Sequence, residues 1–335
     1  MGVGYLEEVE RMRIVAVGGG TGLSTLLRGL KQEVGGWITE LTAIVTVADS
    51  GGSTGKLRKI YNIPAPGDIR NCIVALSDSE EVMQRLFQYR FKGDGIEGHA
   101  FGNLFLTALT DITGSFLEAV KLTSQILRTR GEIVPSTVED VHLVAEFSDG
   151  ETVVGEENIT EYGRKGDVSL KRLWIEPEDA KAPIEAIAAV ESADIIVFGP
   201  GSLFTSILPN LLIRDIREAI LRSSALRVFV VNAMSQPGET DGFTANDHLR
   251  AFLSFSGLDR IDAVVVNTKM PPNDLLQRYL KEGQEPVVPD VGSIARQNIA
   301  VYAEDLIGDQ NSYVRHDPHK LTALIMKIAK NETRP

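Results

Sequence analysis

Short runs of apolar, largely β-branched residues alternate along the chain with segments whose apolar positions recur at helical spacing. The runs predict strands at Arg13–Val17, Thr42–Val47, Ala193–Phe198, Arg227–Asn232 and Ala263–Asn267. The helical spacing predicts helices at Leu23–Lys31, Asp68–Ser77, Glu81–Tyr89, Asn103–Ile112, Phe116–Leu127, Ala182–Val190, Ile213–Arg222 and Asp317–Lys330. Strands that are apolar on both faces and alternate with helices are typical of parallel sheets. We therefore predict an α/β fold with a mostly parallel central sheet flanked by helices.

A different pattern occupies the stretch from about residue 138 to residue 175. Apolar and polar residues alternate over Val141–Phe147, Asp149-Gly150 follows, and a second run begins at Thr152. Asp-Gly between two such runs is a hairpin signal. We predict a small antiparallel β insertion at the sheet edge, within a single domain spanning 13–335. Residues 1–12 are predicted to be an N-terminal extension.

Charge and composition narrow the classes of partner. The 335 residues carry 46 acidic against 34 basic side chains, a formal net charge of −12. That balance argues against nucleic acid and anionic membranes as partners, because both attract positive surfaces.

Apolar stretches such as Ile195–Phe198 are too short to span a membrane. No export signal is found, and a lone Cys72 fits a reducing compartment. We therefore expect a cytoplasmic protein.

Two strand-to-helix junctions share one pattern. The strand ending at Val17 runs into Gly18–Thr25, and the strand ending at Phe198 runs into Gly199–Ser206. Both junctions combine glycines with hydroxyl residues, and we expect them to face each other across a cleft at the carboxyl edge of the sheet. Backbone N–H groups at a helix start bind phosphate. Glycine needed only for a tight turn is the alternative at the first junction.

The first junction does not carry the dinucleotide-binding fingerprint. Leu23 and Thr25 stand at the two positions where the third glycine would be needed, which argues against a nicotinamide dehydrogenase. At the second junction, Ser202, Thr205 and Ser206 add hydroxyl donors for a phosphate. The alternative there is that Ser202 only caps the helix.

A third glycine-rich segment follows the second predicted strand. It resembles a P-loop superficially, but Gly51 and Gly55 are too close and Leu57 follows Lys56 where Ser or Thr should bind magnesium. Asp49 lies at the end of the strand, where ligand groups gather in α/β sheets. It could accept a ribose hydroxyl, hold a metal through water, act as a base, or cap the turn.

Basic and amide residues near this segment have two interpretations each. Lys56, Arg58, Lys59 and Arg70 could face an anionic ligand or form a solvated face. Asp68 is predicted to cap a helix, which would place Arg70 and Asn71 where a ligand could meet them. Asn103 is either a ligand contact or a helix cap.

Metal and nucleophile chemistry find little support in the sequence. The five histidines show no zinc spacing, so no metal ligand is predicted. No G-x-S-x-G elbow is present, and Cys72 lies in the middle of a predicted helix.

Six blocks in a fixed order resemble one known family. They are Gly18–Ser24, Val47–Ser53, Pro66–Asn71, His99–Leu104, Gly199–Ser206 and Arg315–Pro318. The chain, from Arg13 to about Lys330, resembles the gluconeogenesis factor family (YvcK-like), within the 2-phospho-L-lactate transferase (CofD-like) superfamily. The resemblance implies a Rossmann-like fold that binds UDP-N-acetylglucosamine or UDP-glucose. It also implies a role in cell shape and wall synthesis during gluconeogenic growth.

The motifs and the resemblance together predict one set of ligand-binding residues. Tyr279 and Arg315 enter that set through the resemblance alone; a surface tyrosine and a capping arginine are the alternatives. The full set is Gly20, Thr21, Gly22, Leu23, Asp49, Ser50, Gly51, Gly52, Asp68, Arg70, Asn71, Asn103, Gly199, Gly201, Ser202, Thr205, Asn232, Tyr279 and Arg315.

The leading hypothesis is therefore a non-catalytic nucleotide-sugar-binding regulator. The alternative is a phospholactate-type transferase that acts on a nucleotide-diphosphate donor with Mg2+, with Asp49 as the only catalytic candidate. The sequence leaves open whether the protein forms a homo-oligomer and which protein partners in cell-wall synthesis it has.

Overall fold

A computed structural model describes residues 11–79, 81–93, 95–308 and 313–332. Ten strands are found in this part of the chain. They are β1 (Met12–Gly18), β2 (Ile38–Val45), β3 (Glu132–Pro135), β4 (His142–Phe147), β5 (Thr152–Val154), β6 (Leu170–Glu176), β7 (Ile195–Phe198), β8 (Leu226–Val230), β9 (Ala263–Asn267) and β10 (Ala300–Glu304).

Fourteen α-helices connect and cover the strands in the same described ranges. They are α1 (Gly20–Leu30), α2 (Gly52–Tyr61), α3 (Pro66–Leu76), α4 (Glu81–Gln88), α5 (Phe101–Thr113), α6 (Phe116–Ile126), α7 (Glu156–Gly163), α8 (Ile184–Ser192), α9 (Leu208–Leu212), α10 (Arg214–Arg222), α11 (Ala245–Ser256), α12 (Asn273–Lys281), α13 (Val291–Ala295) and α14 (Pro318–Glu332). A π-helical turn, Leu203–Ile207, leads into α9.

Seven strands form one sheet in the order β10-β9-β8-β7-β1-β2-β3, and all of its pairs are parallel. The chain moves from β1 to one edge and later from β7 to the other. Because β1 and β7 are neighbours, with Val17 beside Phe198, the strand order reverses between them. Ligands of open α/β sheets bind at such a reversal, beyond the carboxyl ends of the strands.

The core confirms the predicted burial of the central strands on both faces. Residues of β1 and β7 such as Ala16, Val17 and Ile196 are fully buried. On α1, Leu23, Leu26, Leu27 and Leu30 are buried at helical spacing against the sheet, which fixes the start of this helix above the end of β1. The α/β, Rossmann-like fold is confirmed.

The predicted insertion is a separate sheet. The strands β5, β4 and β6 pair antiparallel, with α7 placed between β5 and β6. The small antiparallel insertion is confirmed, and its three strands form a sheet of their own. Its position at the edge of the main sheet stays a prediction. The single domain spanning 13–335 stays a prediction, and most of the extension over 1–12 lies outside the described residues.

Sequence periodicity missed several elements for physical reasons. The edge strand β3 is four residues long and has only a short apolar run. The half-buried β10 lies in an apolar run, Ile299–Ala303, which the strand prediction omitted. The helix α2 contains glycine and mainly polar residues. Within the described residues, none of the helices has the length and apolar character needed to cross a lipid bilayer.

Candidate functional site

The two glycine-rich junctions, which the sequence predicts to face each other across a cleft, are in direct contact at their glycines. A Cβ atom added to Gly22 would lie 2.5 Å from the carbonyl oxygen of Pro200. A Cβ added to Gly201 would lie 3.4 Å from the carbonyl oxygen of Gly19. Gly20 and Gly199 have φ values of +63° and +77°, which glycine adopts without strain. The starts of α1 and of the π-helical turn therefore face the same space.

Two asparagine side chains hold the junctions in place. Asn232, just beyond β8, accepts a hydrogen bond from the Gly201 N–H at 3.0 Å and donates one to the Gly201 carbonyl at 2.7 Å. Asn210 donates to the carbonyl of Gly18 at 3.1 Å from the other side, and its side chain is fully buried. Both turns are thus fixed by side-chain amides in addition to their own backbone geometry.

A cleft of 380 Å³ opens between the junctions. Nine residues of the predicted ligand-binding set line it: Gly20, Thr21, Gly22, Gly201, Ser202, Thr205, Asn232, Tyr279 and Arg315. Leu23 is buried in the core behind the cleft, and Gly199 is not among the lining residues.

Glu239 organises the second junction, and sequence reasoning did not find it. The Ser202 hydroxyl donates to its carboxylate, as do the Thr160 hydroxyl at 3.1 Å and the Thr205 hydroxyl at 3.5 Å. Burial raises the pKa of Glu239, and these hydrogen bonds oppose the rise. The hydroxyl groups of Ser202 and Thr205 are therefore turned toward a carboxylate. Ser202 also accepts a hydrogen bond from the Thr205 N–H at 3.1 Å, so Ser202 caps the π-helical turn; its contact with a phosphate stays a prediction.

A second cavity of 510 Å³, lined mainly by carboxylates, adjoins the cleft. The two share Gly20, Ser206 and Glu156. Burial, followed by the repulsion of Asp49, raises the pKa of Asp68 to about 7. Burial and the nearby carboxylates of Asp49 and Asp68 also raise the pKa of Glu156 well above its ordinary value. This side of the site therefore holds protons that a solvated carboxylate would lose.

The two aspartates near the first junction have different local roles. Asp49 accepts a hydrogen bond from the Gly51 N–H at 2.7 Å. It therefore caps the glycine-rich turn, which was one of the four roles that the sequence allowed for it. The predicted helix-capping role of Asp68 is wrong, because α3 begins after Ala65 without a side-chain cap. Asp68 instead accepts a hydrogen bond from the backbone of Gly20, at the first junction.

Ser50, Gly51 and Gly52 form the turn that leads from Asp49 into α2, outside the lining of both cavities.

Three further predicted residues form a polar network behind the two cavities. Arg70 donates to the side chains of Asn103 at 3.1 Å and Asn71 at 2.8 Å, and both Arg70 and Asn103 are buried. Asn103 does not cap α5, which begins after Ala100. None of the three lines the cleft or the acidic cavity.

The basic residues of α2 do not converge on the cleft. Arg58 is buried, where it pairs with Asp140 and donates to the carbonyl of Asp49 at 3.0 Å. Lys56 and Lys59 are exposed and lie on a separate surface depression. The basic residues therefore form neither one ligand-facing group nor one solvated face, because Arg58 is buried whereas Lys56 and Lys59 are exposed.

The opposite wall of the cleft comes from the C-terminal part of the chain. The Tyr279 hydroxyl accepts a hydrogen bond from the Val314 N–H at 3.0 Å, and Arg315 follows with an exposed side chain. His316 is buried, and burial lowers its pKa to about 4, so the ring is neutral at pH 7. Among the described residues its Nε2 atom has no hydrogen-bond partner.

Neither metal-ligand clusters nor an activated thiol are found in the described part of the chain. No group of three or more His, Cys, Asp or Glu side chains there could hold a metal ion. Cys72 is buried in α3, and burial raises the pKa of its thiol. The site is thus a polar cleft with one exposed arginine and an acidic neighbour.

Comparison with known proteins places this arrangement in a family. The sequence model described as 2-phospho-L-lactate transferase CofD matches residues 14–307. The chain belongs to the CofD family. A protein of Aquifex aeolicus is 68% identical over 324 residues, covering 97% of this chain and 98% of the relative. The gluconeogenesis factor of Bacillus subtilis (strain 168) is 43% identical over 322 residues, covering 96% and 99%.

A solved structure supports the same placement of this CofD family member. The crystal structure of a UPF0052 family protein from Bacillus halodurans superposes with a TM-score of 0.88 at 40% identity. The match covers 94% of this chain and 99% of that one. The resemblance to gluconeogenesis factors within the CofD group is therefore confirmed.

Proposed function

We propose that the cleft binds a nucleotide-diphosphate sugar, UDP-N-acetylglucosamine or UDP-glucose, and that the protein is a non-catalytic cytoplasmic regulator. It would act on cell shape and wall synthesis during growth on gluconeogenic carbon sources. The observation that carries the proposal is the contact between the two helix starts, which leaves both facing one cleft with Arg315 on the opposite wall.

The electrostatics of the cleft favour a diphosphate. The first turn of a helix leaves backbone N–H groups without partners inside the helix, and the helix dipole adds positive potential there. Thr21 and Gly22 lie in the first turn of α1 and line the cleft, where only glycine at position 22 lets the second junction come so close. Arg315 would pair with the phosphate oxygens.

The rest of the cleft supplies groups suited to the neutral parts of such a ligand. Gln236, Gln284 and Asn232 line it with amides, which can both donate to and accept from a base or a sugar. Glu156 stands between the cleft and the acidic cavity, where its carboxyl group, which holds its proton more tightly than a solvated one, can hydrogen-bond to a sugar hydroxyl. The volume of 380 Å³ lies within the usual range of about 300–1,000 Å³ for small-molecule sites.

The relatives support the physiological part of the proposal. The Bacillus subtilis and Listeria monocytogenes proteins are named gluconeogenesis factor, and both match this chain over nearly its whole length. A regulator of this kind would sense the supply of a nucleotide sugar, whose concentration follows carbon metabolism.

Isothermal titration calorimetry with UDP-N-acetylglucosamine tests the proposal. We expect saturable binding to the wild type and a loss of about 10- to 100-fold in affinity for Arg315→Ala, since a charge-assisted hydrogen bond contributes about 1.5–3 kcal/mol. Arg278→Ala is the matched control, because Arg278 is exposed on α12 and does not line the cleft. No heat at millimolar ligand with the wild type would refute the proposal.

The acidic cavity favours a second candidate, a phospholactate-type transferase. Asp49 and Asp68 lie beside Gly20, within reach of a diphosphate seated at the first junction. Magnesium is usually held by one or two carboxylates together with substrate phosphates, so these residues fit an ion that arrives with a nucleotide diphosphate. When bound, the ion would neutralise charge on the leaving diphosphate.

Incubation with Mg2+ and nucleotide-diphosphate donors, followed by product analysis, separates the two candidates. Turnover that Asp49→Asn abolishes would favour the transferase. Binding of UDP-N-acetylglucosamine without turnover would favour the regulator.

A further inference from the structure

The helix α7 of the insertion separates two cavities of opposite character. Glu157, Thr160 and Glu161 face the acidic cavity described above. Ile159 and Gly163, on another side of the same helix, line a third cavity of 480 Å³. This third cavity, the seam cavity, lies where the insertion meets the main body.

Aromatic side chains dominate the wall of the seam cavity. Phe147 comes from the insertion, and Phe204, Phe243 and Phe255 come from the main body. Phe204 and Phe147 are buried, whereas Phe243 and Phe255 are only half-buried. The ring of Phe204 meets the ring of Phe255 edge-on, with centroids 5.3 Å apart. A flat aromatic ligand would cover the half-buried rings with similar edge and face contacts.

The seam cavity has a cation at its rim. Arg164, directly after α7, lines both the seam cavity and the acidic cavity, and the residue is exposed to solvent. Throughout the described ranges its guanidinium makes no hydrogen bond or ion pair. Its side chain is held against the Gly238 turn, where a Cβ added to Gly238 would lie 2.9 Å from the Arg164 Cγ.

The two carboxylates at the same rim already have donors. Glu239 accepts from Ser202 and Thr160, and Asp241 accepts from the Gly238 N–H at 2.6 Å. The guanidinium of Arg164 is therefore the charged group of this rim that lacks a partner among the described residues. Arginine pairs with a carboxylate through two parallel hydrogen bonds.

We propose that the seam cavity is a binding site for a small aromatic carboxylate, whose ring lies among the phenylalanines and whose carboxylate pairs with Arg164. Such a ligand bridges the insertion and the main body, since Ile159 and Phe147 contact it from one side and Phe255 from the other. The seam cavity adjoins the nucleotide-sugar cleft at Glu239, which lines both, but the proposal does not depend on the function proposed for that cleft.

Isothermal titration calorimetry of 2-naphthoate binding to the full chain, in the absence of nucleotide, tests the proposal. We expect one saturable site and at least tenfold weaker binding of the neutral 2-naphthamide. Arg164→Gln should weaken 2-naphthoate at least tenfold and leave 2-naphthamide unchanged. Arg172→Gln is the matched control, because Arg172 is an exposed arginine of the insertion that does not line the cavity.

A cavity-filling variant locates the site. Ala251 lines the seam cavity, so Ala251→Leu should abolish binding of both compounds. If that variant does not fold, nuclear Overhauser contacts between 2-naphthoate and the ring of Phe255 in the wild type provide the same information. No binding at low-millimolar 2-naphthoate, equal affinity for the amide, unchanged affinity in Arg164→Gln, or contacts elsewhere on the protein would each overturn the proposal.

Discussion

The carbonyl oxygen of Pro200 occupies the position into which a side chain at Gly22 would extend, at 2.5 Å from the ideal Cβ. Both groups belong to the backbone, so neither can move without displacing a helix start. The distance between the two junctions is thus set by the absence of a single Cβ atom.

Gly22→Ala should therefore separate the junctions. We expect a loss of about 1–3 kcal/mol in the free energy of unfolding, measured by urea titration, because the added methyl group overpacks two fixed backbones. Ligand affinity in the cleft should fall with it. Gly292→Ala is the control, since its added Cβ would meet only the end of the Arg296 side chain at 3.7 Å. Equal stability of Gly22→Ala and wild type would contradict the contact.

Glu239→Gln tests the network at the second junction. The amide replaces one acceptor oxygen with a donor, while Ser202, Thr160 and the backbone of Phe204 all donate to the native carboxylate. We expect a loss of about 1–3 kcal/mol in the free energy of unfolding, since a buried donor loses its acceptor. Thermal unfolding measures it, with the exposed Glu282→Gln as the control. A melting temperature equal to that of wild type would show that the carboxylate is dispensable.

Asp68 makes stability depend on pH. Burial raises its pKa to about 7 in the folded protein, above the ordinary value of 3.8, so the folded state binds more protons between these two pH values. Stability should therefore fall as the pH rises from about 4 to about 7, by at most about 1.4 kcal/mol per pH unit from this group. Asp68→Asn should flatten the curve of urea midpoint against pH in that window. The exposed Asp274→Asn should not, and a curve unchanged in Asp68→Asn would count against the raised pKa.

Arg58→Lys tests the link between α2 and the insertion. Arg58 is buried and donates to Asp140, to the Val141 carbonyl at 2.6 Å and to the Asp49 carbonyl at 3.0 Å. An ammonium group cannot reach three acceptors that lie around a planar guanidinium. We expect a loss of about 1–3 kcal/mol in the free energy of unfolding. Lys59→Ala, on the exposed side of α2, should change the unfolding midpoint by much less, and equal effects would refute the assignment.

The pattern of apolar residues and glycine turns along the sequence predicted the central strands and the two glycine-rich junctions of the candidate site. Burial on both faces gives β1, β7, β8 and β9 continuous apolar runs, so these strands were predicted within a few residues of their ends. The repeat of strand, glycine turn and helix predicted that the two junctions face each other. The edge strand β3 carries a weaker signal, because only two apolar residues lie between Glu132 and Pro135.

The missed site residues depend on long-range contacts. Glu239 becomes part of the second junction only because a loop after β8 meets both α7 and the π-helical turn, and no local spacing indicates that meeting. Asp68 and Asn103 occupy positions near helix starts and therefore looked like caps. The fold places the first against Gly20 and the second against Arg70.

The hydrogen bond from Thr160 to Glu239 predicts what deletion of the insertion would do to the rest of the protein. Thr160 belongs to the insertion, yet through Glu239 it supports the hydroxyl groups at the start of the second junction. A shortened chain without the insertion would keep every strand of the main sheet and still lose the half-buried Thr160 donor to Glu239 at the second junction. The smallest unit that keeps all the hydrogen bonds of the second junction therefore includes the insertion.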